Sequence, residues 1–122
     1  MEIKVSRNGS GVYLVELSGA LDIYGSGQLK KLITRITERQ AGHIIVSLED
    51  VDSVDSSGIG ALLYVSSTLR KLNCPLVIVA PEGPALKALE LSRLQMYFSI
   101  ASTLEEAVSQ AAASAAGAPG EA

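Results

Sequence analysis

The pattern of apolar residues and turn residues near the start of the chain predicts two β-strands. The first covers residues 2–6 and the second residues 12–17. Between them lies Arg-Asn-Gly-Ser-Gly, and its Asn-Gly pair favours the positive φ angles of a tight turn. The pattern therefore predicts an antiparallel hairpin at the beginning of a sheet.

Further along, apolar residues recur at the spacing of amphipathic helices. Leu29, Leu32, Ile33 and Ile36 fall at positions i, i+3, i+4 and i+7, and Gly42 is expected to end that helix. A second helical pattern covers residues 59–72, and Asn73 and Pro75 mark its end.

Two short runs of aliphatic residues, 43–48 and 76–80, predict central strands that are covered on both faces. A brief strand is also expected at residues 97–100. Pro84 suits the first position of a third helix, which continues through Leu86 and Leu89. Thr103 and Glu106 have the capping-box spacing that predicts the start of a fourth helix.

Together these elements predict a single α/β domain with a mixed sheet of four to five strands and about four helices. After the hairpin, strands and helices alternate, which implies parallel crossovers with helices packed on the sheet. We place the domain at residues 1–113. The stretch 114–122 is rich in Ala, Gly and Pro, and we expect it to be a flexible tail.

Composition narrows the class of partner. The 122 residues are 48% hydrophobic with a net charge of −3, and they contain four Tyr, one Phe and no Trp. With no basic block and few aromatic rings, direct binding of nucleic acid is not expected. The start of the chain resembles no signal peptide and no window is long and apolar enough to span a membrane, so we expect a cytoplasmic protein without membrane contact.

Residues that carry catalytic or metal chemistry are sparse. His43 is the one histidine and Cys74 the one cysteine, so neither a zinc site nor a disulfide is expected, and we interpret Cys74 as a buried apolar residue. An acidic cluster follows the strand predicted at 43–48, but the acidic partners and the late lysine of a receiver-type magnesium site are not evident. Its members are Glu49, Asp50, Asp52 and Asp55. We therefore expect no enzyme, no cofactor and no bound metal.

The segment Asp-Ser-Ser-Gly-Ile-Gly at residues 55–60 stands out as a helix start. Asp and Ser are preferred N-cap residues, so a purely structural cap is one interpretation. Gly58 and Gly60 remain unexplained by it, because each glycine within a helix costs about 0.5–1 kcal/mol relative to alanine. A helix start without side chains could instead accept a phosphate and the close approach of another protein. The residues alone leave both interpretations open.

Three stretches of the chain resemble the STAS-domain anti-sigma factor antagonists. Residues 18–22 are similar to that family's Gly-x-Leu-Asp element, residues 54–60 to its phosphorylation motif, and residues 89–94 to its Leu-x-x-Ser-Gly-Leu stretch. The similarity extends over about residues 3–112. Arg93 stands where the family usually has glycine, and Gly25 and Gly27 suggest an unusually flexible segment after Asp22.

The resemblance implies that Ser56 is the phosphoacceptor, with Ser57 as the alternative. It further implies that the residues around these serines and after the second strand contact a partner protein, namely Asp22, Tyr24, Gly25, Asp55, Gly58 and Ile59.

In the implied mechanism, the unphosphorylated protein binds an anti-sigma factor serine kinase and releases the sigma factor. Phosphorylation of Ser56 ends that contact, and a PP2C-like phosphatase restores it. ATP and Mg²⁺ belong to the kinase. The alternative is a STAS scaffold or ligand-sensing module in another signalling complex that phosphorylation does not regulate.

Overall fold

The computed structural model describes residues 1–8, 11–39 and 42–117, with side chains as far as residue 112. In chain order the strands and helices are β1 (Glu2–Arg7), β2 (Val12–Leu21), α1 (Ile23–Glu38), β3 (His43–Val54), α2 (Ser56–Lys71), β4 (Leu76–Val79), α3 (Pro84–Ser92), a 3₁₀ turn (Gln95–Tyr97), β5 (Ser99–Ala101) and α4 (Leu104–Gly117). The predicted elements are confirmed in number, type and order.

The strands of the described residues form one mixed sheet in the order β1-β2-β3-β4-β5. The first two strands are antiparallel, and every later neighbour is parallel. Parallel neighbours require a crossover, and in each case a helix supplies it. The α/β fold predicted from the alternation of strands and helices is therefore confirmed.

Apolar side chains cover both faces of the sheet. The larger cluster packs β2 and β3 against α1, α2 and α3, and includes Leu29, Leu62 and Leu89. On the other face a smaller cluster joins Ile45 and Val77 to Ala107 of α4. Because neighbouring residues of a strand point to opposite faces, β3 is buried on both sides, as its aliphatic run predicted.

Two strands are longer than the sequence pattern suggested. β2 extends to Leu21 and β3 to Val54, and the two strands stay paired through register shifts between Glu16 and Ser18 and between Gly19 and Ala20. Gly19 has a φ of +90°, which favours glycine at this irregular point. The acidic residues 49, 50 and 52 therefore lie on a strand, with exposed side chains, and not in the region after it.

The start of α1 corrects the expectation of a flexible segment after Asp22. Gly25 and Gly27 lie within the first two turns of the helix, and Asp22 is its N-cap. Gly25 is buried beneath Met1: a Cβ on Gly25 would lie 2.9 Å from the Met1 Sδ. The missing side chain therefore provides space for packing.

At the other end of the chain, Thr103 caps α4 as predicted, but the return bond of Glu106 goes to the N–H of Ser102 and not to that of Thr103. The Glu106 N–H donates to Thr103 Oγ1 at 3.1 Å, and the Glu106 carboxylate accepts from the Ser102 N–H at 3.3 Å. The backbone of α4 continues to Gly117, and residues 118–122 lie outside the described residues. The division between a domain ending at 113 and a flexible tail stays a prediction.

Three further predictions concern the burial of Cys74, the backbone at Arg93 and the turn that follows the first strand. Cys74 is buried, as expected. Arg93 has a φ of +61° at the C-cap of α3, which is the left-handed conformation that favours glycine. The Asn-Gly turn falls partly on residues 9 and 10, which lie outside the described residues.

Candidate functional site

Two helices begin side by side at the carboxyl edge of the sheet. Leu21, the last residue of β2, pairs with Val54, the last residue of β3. The Asp55 N–H donates to the Leu21 carbonyl at 3.3 Å, which links the two strand ends. The starts of α1 and α2 are therefore neighbours, although they are more than 30 residues apart in the sequence.

Asp22 holds the start of α1. Its carboxylate accepts hydrogen bonds from the N–H groups of Tyr24 at 3.1 Å and Gly25 at 3.0 Å. The pKa of Asp22 is below its ordinary value of 3.8, mainly because of the hydrogen bond from Gly25. Burial acts to raise this pKa, whereas the bond from Tyr24 lowers it further. Asp22 therefore acts first as a cap, while its half-exposed side chain remains at the surface.

Asp55 has the same role at the start of α2. Its carboxylate accepts from the Gly58 N–H at 3.0 Å, and its carbonyl accepts the first helical bond from the Ile59 N–H at 3.0 Å. The predicted cap is thus provided by Asp55. Ser56 is the first residue of the helix, is exposed, and its hydroxyl makes no hydrogen bond with the described residues.

Ser57 differs from Ser56 in accessibility. Ser57 is half-buried, whereas Ser56 is exposed and lies at the rim of a groove described below. Of the two candidate phosphoacceptors, Ser56 is therefore the more exposed residue.

The two glycines of the motif have different roles, which corrects the interpretation of both as bare surface. Gly58 is buried, and a Cβ there would lie 2.5 Å from the Leu21 carbonyl oxygen and 2.9 Å from Val54 Cγ1. Glycine at 58 therefore allows α2 to approach the end of β2. Gly60 is exposed, with open space where its side chain would be. Ile59 is also largely buried, so Gly60 and Ser56 provide the accessible part of this helix start.

Two large exposed side chains lie at the neighbouring start of α1. Tyr24 is 81% exposed and Ile23 is 66% exposed, directly after the Asp22 cap. Tyr24 was predicted at the contact surface, whereas Gly25 is buried under Met1 and offers little to a partner. Ile23 was not singled out from the sequence, although a large apolar residue at the first helical position is a signal that could have found it.

An apolar groove that Ser56 borders lies between α2 and α3. It has a volume of about 550 Å³ and is open to solvent. Leu91 of α3 borders it and is 74% exposed, more than is usual for a leucine on a helix. The groove is lined mainly by aliphatic residues from the two helices and from the segments that flank them, together with the serine: Val54, Ser56, Ile59, Leu63, Leu91 and Leu94. Sequence patterns did not predict it, because two helices distant in the chain build it together.

The carboxylates described at this surface, those of Asp22 and Asp55, both cap helices. His43 lies at the start of β3, at the opposite end of that strand from Asp55, and burial lowers the pKa of its imidazole. Within the described part of the chain, no group of three His, Cys, Asp or Glu side chains could hold a metal ion. The described surface combines an exposed hydroxyl with an apolar groove, and an exposed aromatic side chain lies at the neighbouring helix start.

Comparisons with known proteins give a consistent set of relatives. A sequence model of the STAS domain matches residues 4–107. The anti-sigma F factor antagonist of Paenibacillus polymyxa is 31% identical over 85 residues, which cover 69% of this chain and 73% of that protein. The anti-sigma-B factor antagonist of Staphylococcus aureus is 38% identical over 61 residues, which cover 50% of this chain and 54% of that protein.

Solved structures share the fold at lower sequence identity. An anti-sigma factor antagonist from Mycobacterium paratuberculosis superimposes with a TM-score of 0.81 at 22% identity, covering 90% of this chain and 92% of that chain. The Bacillus cell fate determinant SpoIIAA, in its phosphorylated form, gives a TM-score of 0.67 at 24% identity and covers 89% of this chain and 98% of its own. In the described part of this chain, every helix is too short or too polar to cross a membrane.

Proposed function

The chain belongs to the STAS domain family, and on that premise we propose that it is an anti-sigma factor antagonist controlled by phosphorylation of Ser56. Relatives that carry the name anti-sigma factor antagonist support the first part of this proposal. The position of the Ser56 hydroxyl supports the second.

The observation that carries the proposal is that Asp55 caps the start of α2 and the neighbouring Ser56 does not. Asp55 caps α2, so the exposed Ser56 hydroxyl is not needed to hold the helix start. A phosphate on Ser56 would sit at the positive end of the helix dipole, which favours negative charge. Phosphorylation is therefore compatible with an intact domain, and its effect falls on what binds there.

In the unphosphorylated form, the contact surface combines Ser56 and Gly60 with Tyr24 and the groove beside Leu91. These residues offer an aromatic side chain, an apolar groove and closely approachable backbone to a partner. A phosphate with a charge near −2, placed beside Asp55, would add like charge and a desolvation cost to that interface. Phosphorylated protein should therefore release its partner.

The partner proposed for this surface is an anti-sigma factor serine kinase, whose capture frees the sigma factor. The same kinase uses ATP and Mg²⁺ to phosphorylate Ser56, and a PP2C-like phosphatase removes the phosphate. This chain is thus a substrate and a binding protein, and its action takes place in the cytoplasm.

The phosphoacceptor is tested by incubating the protein with its cognate kinase and ATP and locating the phosphate by mass spectrometry. We expect one phosphate on Ser56, complete loss of labelling in Ser56→Ala, and normal labelling in the matched control Ser57→Ala. Labelling that persists in Ser56→Ala and disappears in Ser57→Ala would assign the site to Ser57 and reject Ser56.

The switch itself is tested by the affinity of the kinase for Ser56→Asp and Ser56→Ala. We expect Ser56→Asp to weaken binding at least tenfold, roughly the effect of a desolvated like-charge contact, and Ser56→Ala to bind like wild type. Equal affinity for both variants would favour the alternative, a scaffold or ligand-sensing module that phosphorylation does not regulate.

A further inference from the structure

A small pocket lies near the C-terminal end of α2, at the edge of the sheet opposite Ser56. It has a volume of about 70 Å³ and is lined by Ser66, Arg70, Pro75, Leu76, Tyr97 and Ser99. A single water needs about 10–15 Å³ in the same measure, so a ligand of several non-hydrogen atoms fits, whereas a nucleotide does not. Ser66 is ten residues beyond Ser56, about 15 Å along the helix, so the pocket is separate from the partner surface.

Ser66 has an unusual environment for a polar residue. It is only 9% exposed, lines the pocket, and its hydroxyl forms no hydrogen bond with any described residue. A serine inside a helix commonly donates to the carbonyl four residues earlier, and the Ser66 hydroxyl does not. The Ser66 hydroxyl is therefore available to a ligand in the pocket.

Arg70 is one turn further along α2 and lies on the same side of the helix. Its Nη2 donates to the Tyr97 carbonyl at 3.3 Å, which holds the guanidinium at the pocket. Among the described residues, no carboxylate forms an ion pair with Arg70, and no acidic side chain lines the pocket. The guanidinium keeps further N–H donors in the planar arrangement that matches carboxylate and phosphate oxygens.

We propose that this pocket binds a small oxyanion, a carboxylate or phosphate group, through the Arg70 guanidinium and the Ser66 hydroxyl. The charge of Arg70 and the lack of acidic lining favour an anion over a neutral ligand. The hydroxyl supplies the hydrogen bond that orients it within the pocket. This inference does not depend on phosphorylation of Ser56.

The proposal is tested by NMR titration of the unphosphorylated full chain. Sodium acetate and inorganic phosphate are added separately at constant ionic strength, with sodium chloride as the reference. We expect saturable amide shifts at residues 66, 70, 97 and 99 with at least one of the two oxyanions. Saturation by acetate identifies a carboxylate site and saturation by phosphate a phosphate site. Shifts that fail to saturate with both anions would overturn the proposal.

Variants then test which side chains hold the anion. Arg70→Gln should weaken binding at least tenfold, since hydrogen bonds to charged groups are worth roughly that much, and Ser66→Ala several-fold. Lys71→Gln is the matched control: it removes the neighbouring positive charge outside the pocket and should bind like wild type. Equal weakening in Lys71→Gln and Arg70→Gln would indicate nonspecific attraction and reject the site.

Arg70→Lys keeps the positive charge but lacks the planar guanidinium. It should also bind the anion more weakly than wild type, and this can be measured even if Arg70→Gln unfolds.

Discussion

At the scale of single residues, Gly58 and Gly60 belong to one motif but have different environments. Gly58 faces the Leu21 carbonyl inside the protein, whereas Gly60 faces solvent. The sequence presents two equivalent glycines in a helix, and only the positions of neighbouring strands distinguish them. Glycine at 58 therefore has a structural role, and the partner surface depends on the residues around it.

We expect Gly58→Ala to destabilise the domain by about 1–3 kcal/mol, because the added methyl group would overlap the end of β2. Gly60→Ala is the matched control and should be neutral or stabilise by up to about 1 kcal/mol, through improved helix propensity. Urea unfolding of both variants measures the difference. Similar stabilities for the two variants would contradict the assignment of Gly58 to close packing.

At the scale of elements, α1 and α2 begin in the same way. Each helix has an aspartate as its N-cap, directly after the end of a strand, and these two strand ends are paired. Asp22 and Asp55 satisfy N–H groups that would otherwise lack partners. This leaves the serine next to Asp55 free of a capping role. The capping preference of aspartate was predictable from the sequence, but which residue of Asp-Ser-Ser would act as the cap depended on where β3 ended.

Asp55→Ala should cost about 0.5–2 kcal/mol of stability, because it removes the hydrogen bond to the Gly58 N–H. Asp55→Asn retains an oxygen acceptor and should lose only a fraction of that, which makes it the matched control. Chemical denaturation measures both. A loss in Asp55→Asn as large as in Asp55→Ala would show that the charge, and not the cap, matters for stability.

At the scale of the whole molecule, His43 links the pH of the solution to the stability of the sheet. Its Nδ1 atom is buried without a hydrogen-bond partner among the described residues, and burial lowers the pKa of the imidazole below its ordinary value of 6.5. The folded state therefore favours the neutral ring. The resulting stability is present above pH 6.5 and is lost as the pH falls below it, because the unfolded chain binds the proton first.

We expect the free energy of unfolding to decrease between pH 7.5 and pH 5, and His43→Gln to reduce that decrease. Denaturant unfolding at several pH values measures the slope for both proteins. Asp22 affects stability in a separate pH range. Because its pKa is lowered in the folded state, its contribution to the free energy of unfolding is present above pH 3.8 and is lost as its carboxylate is protonated below that pH. An unchanged slope in His43→Gln would show that other groups determine the pH dependence.

Local patterning was sufficient to predict the class of fold, because apolar periodicity, turn residues and caps act over a few neighbouring positions. The strands at residues 43–48 and 76–80, the helix through Leu29 and Ile36, and the Thr103 cap are all of this kind. The sequence pattern did not predict that β3 extends to Val54, because apolar residues are irregularly spaced over residues 49–54. Pairing with β2 maintains the strand in this segment.

The sequence by itself determined the α/β order of elements and identified residues 55–60 as an unusual helix start. The tertiary structure decided that the helix starts at Asp22 and Asp55 are neighbours, that Gly58 is buried, and that Leu91 and Ser56 border the same groove. It also brought Arg70 to Tyr97 across 27 positions of the chain. The physical reason is that periodicity reports which side of an element is buried, whereas contacts between elements depend on strand register and helix packing.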